Sequence, residues 1–178
     1  FTLAAMAAQG RDVRLAKSRV EGYRNFTTKL WNAARFAQMN GCVVPAGFDP
    51  QSVTGTANKW IIGALSKTVG EVTTGIETYR FNEAAGALYR FVWNVYCDWY
   101  LEVVKPELID QNSQTAAETR ATTAWVLDET LKLLHPFIPF ITEALWAELG
   151  QGKRQTGLIT APWPAQIPVD AEANTQME

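Results

Sequence analysis

The sequence has little of what most enzymes use for catalysis. It contains one histidine, His135, and two cysteines, Cys42 and Cys97, with no Cys-x-x-Cys pair. A histidine-rich metal site and a dense disulfide framework are therefore excluded. No G-x-x-x-x-G-K-[ST] or G-x-G-x-x-G phosphate loop is present, and no G-x-S-x-G nucleophile elbow. His135 directly precedes Pro136, where a helix-capping or core role is expected rather than that of a base. These absences predict a domain with no catalysis and no cofactor of its own.

Membrane and export signals are also missing. No run of eighteen or more apolar residues occurs, so no transmembrane helix is expected. The first ten residues, FTLAAMAAQG, are too short and lack the basic leader of a signal peptide. Two isolated cysteines fit a reducing compartment such as the cytoplasm, although they could still pair with each other. The chain starts at Phe1 rather than Met, which we interpret as a piece of something larger.

Acidic and basic residues are unevenly distributed. The net charge of the 178 residues is −2, yet residues 11–35 carry a local charge of +5 from seven basic and two acidic side chains. The basic ones are Arg11, Arg14, Lys17, Arg19, Arg24, Lys29 and Arg35. A basic region on an acidic body indicates an anionic partner that contacts one region only. The alternative is an ordinary solvated helix face.

Apolar residues recur at spacings of three and four along most of the chain, the period of amphipathic helices. Long helices are predicted over about 16–40, closed by Asn40 and Gly41, then 56–77, 82–104, stopped by Pro106, and 116–135. Short ones are predicted over 2–9 and 139–149. The third long helix should bury Ala85, Leu88, Val92, Val95, Trp99 and Val103, and the fourth Ala117, Ala121, Ala124, Leu127, Leu131 and Leu134.

These patterns predict an all-α fold, an antiparallel bundle of four long helices with short terminal helices. Residues 1–149 would form the bundle. Residues 150–178, rich in Gly, Pro and polar side chains, would form an extended tail partly packed on it, with 158–163 lying over the bundle. Arg90, Asn94 and Asp98 follow one another at spacings of four, which predicts a structural polar network rather than a carboxylate site.

The segment RNFTTKLWNAARF, residues 24–36, carries a second stripe beside its core face. At about 100° per residue, Asn25, Lys29, Asn32 and Phe36 fall within an arc of roughly 60°. The core face lies elsewhere, on Tyr23, Phe26, Leu30, Ala33, Ala34 and Ala37. A ring for stacking, amides for base edges and a cation for phosphates suit the recognition of unpaired nucleotides.

Two alternatives for this stripe stay open. Glu21 is an acid within it that could accept from a base amino group or pair with Arg24 or Lys17. The whole stripe could instead pack against a neighbouring helix, with Phe36 filling a second small core. Arg14 would extend the stripe if the helix began early.

The same segment closely resembles the first long helix of the anticodon-binding domain in class I aminoacyl-tRNA synthetases, and most specifically their valyl members. FTLAAMAAQGRDVRL, NEAAGALYRFVWNVYCDWYLEVVKP, LKLLHPFIPFITEALWAEL and LITAPWP resemble further stretches of that family in the same order, covering about residues 1–165. LHPFIPFITEALW is common to the valyl, isoleucyl and leucyl relatives. Thr28 stands where the family usually has Asn.

The resemblance implies a function that the residues alone do not. It implies the anticodon-binding domain of a valine–tRNA ligase, whose ATP-dependent catalytic domain lies outside this chain, so that the chain alone should be inactive. The expected partner is the anticodon loop of valine tRNA, with no DNA and no membrane, and a monomer is expected. By resemblance, Phe36 stacks on one anticodon base and Arg14 contacts another. Lys29 and Arg35 would hold phosphates, Asn25 and Asn32 would read base edges or fix the helix, and Arg19 is a further RNA contact. The alternatives are an isoleucyl or leucyl member of the family, or a helical protein-interaction domain.

Overall fold

The computed structural model of this chain describes residues 1–8, 10, 12–110, 113, 115–154, 156–168, 170, 173, 175 and 177. Helices cover most of these residues, and no strand occurs among them, which confirms the predicted all-α class. The α-helices are α1 (Thr2–Met6), α2 (Lys17–Met39), α3 (Thr56–Glu77), α4 (Phe81–Arg90), α5 (Leu101–Ile109), α6 (Ala116–Leu134) and α7 (Pro139–Gly150). A π-helical segment (Phe91–Tyr100) joins α4 to α5, and short 3-10 turns lie at Pro50–Ser52 and Leu158–Thr160.

Contacts between α3 and the rod formed by α4, the π segment and α5 show that the two run antiparallel. Glu71, in the second half of α3, lies 3.4 Å from Arg90 at the end of α4. Asn58, near the start of α3, accepts a hydrogen bond of 3.0 Å from the hydroxyl of Tyr100 at the end of the π segment. Residue numbers therefore fall along α3 as they rise along the rod.

Helix α6 runs antiparallel to the same rod on another side. The hydroxyl of Tyr96 donates to the carbonyl of Thr123 at 3.1 Å, and Arg120, one turn earlier in α6, donates to the carbonyl of Leu108 at 3.0 Å. These bonds tie the start of α6 to the end of α5 and the middle of α6 to the π segment.

Helix α2 runs parallel to the rod. The ring of Phe26 stacks on that of Tyr89 with centroids 5.2 Å apart, and Lys29, one turn later, forms an ion pair with Asp98. Since α3 runs antiparallel to the rod, α2 also runs antiparallel to α3. The successive long elements therefore alternate in direction, as expected for helices joined by short connections.

The ends of α2 and α3 lie within one residue of the predicted bounds, since α2 spans Lys17–Met39 against the predicted 16–40 and α3 spans Thr56–Glu77 as predicted. Gly41 follows α2 with φ of +68°, and the N–H of Cys42 donates to the carbonyl of Ala37 at 3.0 Å. This is a Schellman closure, in which glycine tolerates the left-handed conformation. The predicted role of Asn40 and Gly41 as the helix end is confirmed.

The predicted buried face of the third helix is wrong at Trp99 and Val103, while Val95 is partly buried against the core. Trp99 is 64% exposed and Val103 is exposed, whereas Tyr96, Cys97, Tyr100, Leu101 and Val104 are buried. The π segment explains the difference, because its i→i+5 hydrogen bonds place more residues in each turn than an α-helix does. A buried face predicted at 3.6 residues per turn is therefore rotated away from the core along this segment. The predicted network of Arg90, Asn94 and Asp98 is absent for the same reason, and Arg90 pairs with Glu71 instead.

Three smaller expectations also fail. Pro106 does not stop the helix, since α5 continues to Ile109. Leu108 is fully buried there and its carbonyl accepts from α6, so tertiary packing offsets the backbone bond that proline removes. Helix α1 ends at Met6 rather than near residue 9. Ala117 is exposed, and its neighbour Ala116 is buried instead.

The segment after α7 packs against α3 and α7. Ser66 donates to the carbonyl of Ile167 at 2.6 Å and accepts from its N–H at 2.8 Å, and the indole N–H of Trp163 donates to Thr73 at 2.9 Å. The first part is a 3-10 turn rather than fully extended chain. Within the residues that the structure describes, no helix is long and apolar enough to span a membrane.

Candidate nucleic-acid interface

The buried face of α2 fixes which of its side chains reach the surface. Phe26, Leu30, Ala33, Ala34 and Ala37 are buried, as predicted from their period. The stripe beside this face points outward: Asn25 and Asn32 are exposed, as is Arg35 on its flank, and none of the three is anchored by a side-chain hydrogen bond to a described residue. These three side chains are available to a ligand.

Lys29 is held in place by the π segment. Its ammonium pairs with the carboxylate of Asp98 and lies 4.2 Å from the ring centroid of Trp93. The other face of the Trp93 indole stacks on Tyr89 at 5.6 Å between centroids, and Tyr89 in turn stacks on Phe26. A column of rings therefore runs from the core to the ammonium group. Since cation–π contact and ion pairing both restrain the lysine, its position is set before any ligand arrives.

Phe36 belongs to both the stripe and the core. It is half-buried and packs against the hydrophobic core, which corrects the expectation that it lies off the core face. The reason is that α2 packs against α6, α7 and the π segment together, so its apolar contact is wider than one stripe. The remaining part of the ring is accessible. The backbone carbonyl of Phe36 accepts from the Asn40 side chain at 2.8 Å, which fixes the last turn of the helix.

The exposed cations fall into separate groups. Arg14, Lys17 and Arg19 lie before and at the start of α2, and none of them forms an ion pair with another described residue. Arg35 is similarly unpaired near the other end. At 1.5 Å per residue, Arg19 and Phe36 are about 26 Å apart along the helix. The structure therefore does not bring Arg19 together with Phe36, and Arg14 precedes the helix. Arg11 lies outside the described residues.

Three contributors to this surface were missed from the sequence. Trp93 and Asp98 position Lys29, and Trp99 presents an exposed ring one residue beyond Asp98. A helix of constant period puts Asp98 beside Asn94, so only the wider π turns direct it toward α2. The single signal available in the sequence was the density of aromatic residues in FVWNVYCDWY.

The histidine and the two cysteines lie outside this surface's ion pair and ring column. His135 directly follows the end of α6, and its Nδ1 lies 2.9 Å from the hydroxyl of Thr142 in α7. Both cysteines are free and buried, and burial raises the pKa of Cys42 and of Cys97 to about 12. Thiols with such pKa values stay protonated and unreactive near neutral pH. Among the described residues, no three His, Cys, Asp or Glu side chains are placed to hold a metal ion.

Comparisons of this chain with known protein sequences all point to the same family. Residues 58–178 match the model of the anticodon-binding domain of tRNA ligase. The chain is 63% identical over 164 residues to a valine–tRNA ligase of Bradyrhizobium diazoefficiens, covering 92% of this chain and 17% of the relative. It is 60% identical over 183 residues to the valine–tRNA ligase of Caulobacter vibrioides, an alignment that covers 99% of this chain and 20% of the relative. It is 56% identical over 175 residues to the valine–tRNA ligase of Rhizobium meliloti, which covers 97% of this chain and 18% of the relative.

The fold is similar to part of a larger solved structure. A LeuRS of Agrobacterium radiobacter K84, crystallised as a ternary complex with tRNA and LeuAMS, aligns with a TM-score of 0.73 and 18% identity over 97% of this chain and 19% of that one. The chain thus spans about a fifth of the length of the proteins it matches. Because the family model matches two thirds of its residues, the chain belongs to the anticodon-binding domain family of tRNA ligases.

Proposed function

We propose that this chain is the anticodon-binding part of a valine–tRNA ligase, an enzyme that uses ATP to attach valine to its tRNA. The observation that supports this most is the 56–63% identity to valine–tRNA ligases, which extends along 92–99% of the chain. The aligned region includes α2, where the exposed stripe lies. Activation of valine by ATP is assigned to the part of the longer enzyme outside this chain, so the chain alone should bind tRNA without acylating it.

The stripe on α2 is the proposed contact with the anticodon bases. The accessible part of the Phe36 ring would stack on one base, while its buried part fixes the ring's orientation. Asn25 and Asn32 carry both donors and acceptors and would read base edges. Arg35 and Lys29 would hold the flanking phosphates.

Arg14 and Arg19 are proposed to contact a different part of the tRNA. Arg19 lies about 26 Å from Phe36 along α2, more than a side chain can reach, and Arg14 precedes the helix. We therefore propose phosphate contacts for both, away from the base that Phe36 stacks on. Exposed, unpaired guanidinium groups suit bidentate contacts with phosphate oxygens.

The larger organisation is proposed on the same basis. Residues 1–149 would form the RNA-binding bundle, and residues 150–178 a strap held to α3 through Ser66 and Thr73. We infer that the chain is a monomer and that the longer ligase works in the cytoplasm.

The test is a titration of the chain with valine tRNA and with the same tRNA carrying a swapped anticodon. Specific recognition predicts tighter binding of the native anticodon at moderate salt, where non-specific phosphate contacts are weakened. Isoleucine and leucine tRNAs, tested in parallel, distinguish the valyl assignment from its relatives. Equal affinity for all four RNAs would defeat the proposed specificity.

Two substitutions separate the stacking role of Phe36 from its packing role. Phe36→Leu keeps an apolar side chain on the core but removes the ring, and Phe36→Ala removes both. Base stacking on an aromatic side chain contributes ~1–3 kcal/mol. Both variants should therefore weaken tRNA binding by about 5- to 150-fold, whereas Phe36→Ala should also lower the melting temperature well below that of Phe36→Leu. If Phe36→Leu binds tRNA like the wild type, Phe36 is a core residue only.

A further inference from the structure

One end of the bundle carries an apolar groove of about 560 Å³. It lies where α1, the turn from α3 to α4 and the turn from α6 to α7 meet. Its apolar lining comes from Ala4, Ile76, Phe81, Pro136, Phe137 and Trp163.

Two exposed rings line this groove, Phe81 and Trp163. The exposed ring of Tyr79 lies 6.2 Å from that of Phe81, and Phe140 follows the lining residue Phe137 by three positions; we call these four rings the end patch. Phe140 is 92% exposed and Tyr79 73%, while Phe81 and Trp163 are each exposed by about two fifths (43% and 41%). At roughly 200 Å² per ring, they present about 500 Å² of aromatic surface. That is near the upper limit for the largest apolar patch of a monomer, and patches of this size mark interaction sites.

Tyr79 is placed in the patch by a strained backbone. It follows the end of α3 with φ of +59°, in the left-handed region. The N–H of Arg80 donates to the carbonyl of Gly75 at 2.7 Å and that of Tyr79 to Ile76 at 3.1 Å, the two bonds of a Schellman closure. The corresponding position after α2 is Gly41. A tyrosine here is strained relative to glycine and gains no burial in this chain, which is expected if its ring contacts something else.

The patch is unsuited to nucleic acid. No cation lines the groove, whose charged member is Glu77, and the neighbouring Arg80 pairs with Glu83 at 3.6 Å. The proposed base-stacking residue, Phe36, also lies elsewhere. Phe26 stacks on Phe1 at this end of the bundle, and Phe36 is ten residues, about 15 Å, further along α2.

We propose that the end patch is the surface on which the remainder of the longer tRNA ligase packs, an inference that rests on the proposed function. The relatives are about five times longer than this chain, so a large part of each must meet the domain somewhere. The amino group of Phe1 donates to the carbonyl of Phe137 at 3.1 Å, so residues preceding Phe1 in a longer protein would leave beside the patch. Interfaces between domains of one chain bury 600–1,500 Å² or so, which the rings and the groove together can supply.

Hydroxyl-radical labelling of the longer ligase and of this chain, both without RNA, tests the inference. Labelling of Phe140 and Tyr79 should fall about fivefold in the longer protein, as expected when a ring that is 92% exposed becomes buried. Met39, 80% exposed at the far end of α2, is the internal control and should label alike in both. Equal labelling of Phe140 and Tyr79 in the two proteins overturns the proposal.

A pair of matched variants tests Tyr79 directly. Tyr79→Gly and Gln151→Gly each relieve a left-handed residue after a helix, since Gln151 has φ of +49° after α7. Each should raise the melting temperature of this chain by roughly 2–4 °C. In the longer ligase, Tyr79→Gly should instead lower the melting temperature and raise the labelling of Phe140, and Gln151→Gly should still stabilise. If Tyr79→Gly stabilises both proteins equally and Phe140 stays protected, Tyr79 is not part of the interface.

Sedimentation of this chain completes the test. It should be a monomer, and self-association that Phe140→Ser abolishes would assign the patch to a second copy and overturn the proposed occupant. Binding of an anticodon stem-loop is measured on the same Tyr79→Gly and Phe140→Ser variants. These should bind RNA as the wild type does, so a wild-type chain that fails to bind RNA counts against the proposed function alone.

Discussion

Asp98 should limit how strongly Lys29 contributes to RNA binding. In the free chain the ammonium of Lys29 pairs with Asp98 and lies over Trp93, and this carboxylate must be displaced or neutralised when a phosphate arrives. Replacing Asp98 by Asn keeps the size of the side chain and its ability to accept a hydrogen bond, but removes the competing charge. Asp98→Asn should therefore tighten tRNA binding.

The structure sets the size of this effect. The two side chains are 26% and 48% exposed, so the pair belongs to the partly solvated class that contributes about 0.2–1 kcal/mol. Releasing Lys29 from it should tighten binding by about 1.5- to 5-fold. A paired lysine adds little net charge to the contact, whereas a released one adds about one phosphate contact. The slope of log K against log salt should steepen by about 0.7 for single-stranded RNA.

The assay is fluorescence anisotropy with a labelled anticodon stem-loop at several KCl concentrations. Glu102→Gln is the matched control, because Glu102 is an exposed carboxylate one turn further along that pairs with Lys105 at 3.1 Å. It removes the same charge without contacting Lys29, and salt screens its distant effect. If Asp98→Asn weakens binding and leaves the salt slope unchanged, Asp98 itself contacts the RNA and the reasoning above is refuted.

Three further predictions concern the interior. Desolvation raises the pKa of Glu118, but hydrogen bonds from Asn58 and from backbone N–H groups just before α3 outweigh it and lower the pKa overall. Its stabilising effect is present above the unfolded pKa and lost as pH falls, so Glu118→Gln should lower the melting temperature at pH 7 and flatten its decline between about pH 5 and 3. Tyr100→Phe removes a buried bond of 3.0 Å to Asn58 and should cost ~1–3 kcal/mol in a urea unfolding experiment. Cys42 and Cys97 should resist iodoacetamide at about pH 8 until the chain unfolds, as read by mass spectrometry.

The sequence predicts the fold best where one helix has one apolar face. The bounds of α3, Thr56–Glu77, coincide with the predicted 56–77, because its apolar residues keep one period and its ends carry Gly55 and Thr78. Prediction fails where geometry depends on packing. The residues FVWNVYCDWY contain no local pattern that predicts π turns. The i→i+5 hydrogen bonds have poorer geometry than those of an α-helix, and tertiary contacts such as that of Tyr96 with Thr123 offset this cost.

The candidate interface could be predicted in part for the same reason. Periodicity identified the exposed side of α2 from local spacing alone, and Asn25, Asn32 and Arg35 are exposed there. It could not identify what restrains Lys29, because Asp98 is 69 residues away in the chain and on a different helix. Periodicity also predicted that Phe36 lies off the core face, from its angle around the helix axis alone. The burial of a ring depends instead on how many other helices pack around it.

The π segment links the core to the proposed RNA surface. Its wide turns leave Tyr96 and Tyr100 buried and hydrogen-bonded to α6, and the same turns direct Trp93 and Asp98 toward α2. In an α-helix of the same sequence Tyr96 and Tyr100, four residues apart, would still share a face, but Trp93 and Asp98 would be rotated relative to them. The tyrosine contacts that stabilise the bundle therefore also set the orientation of Lys29. A substitution in the buried π segment should then alter RNA binding through Lys29 even though it contacts no nucleotide.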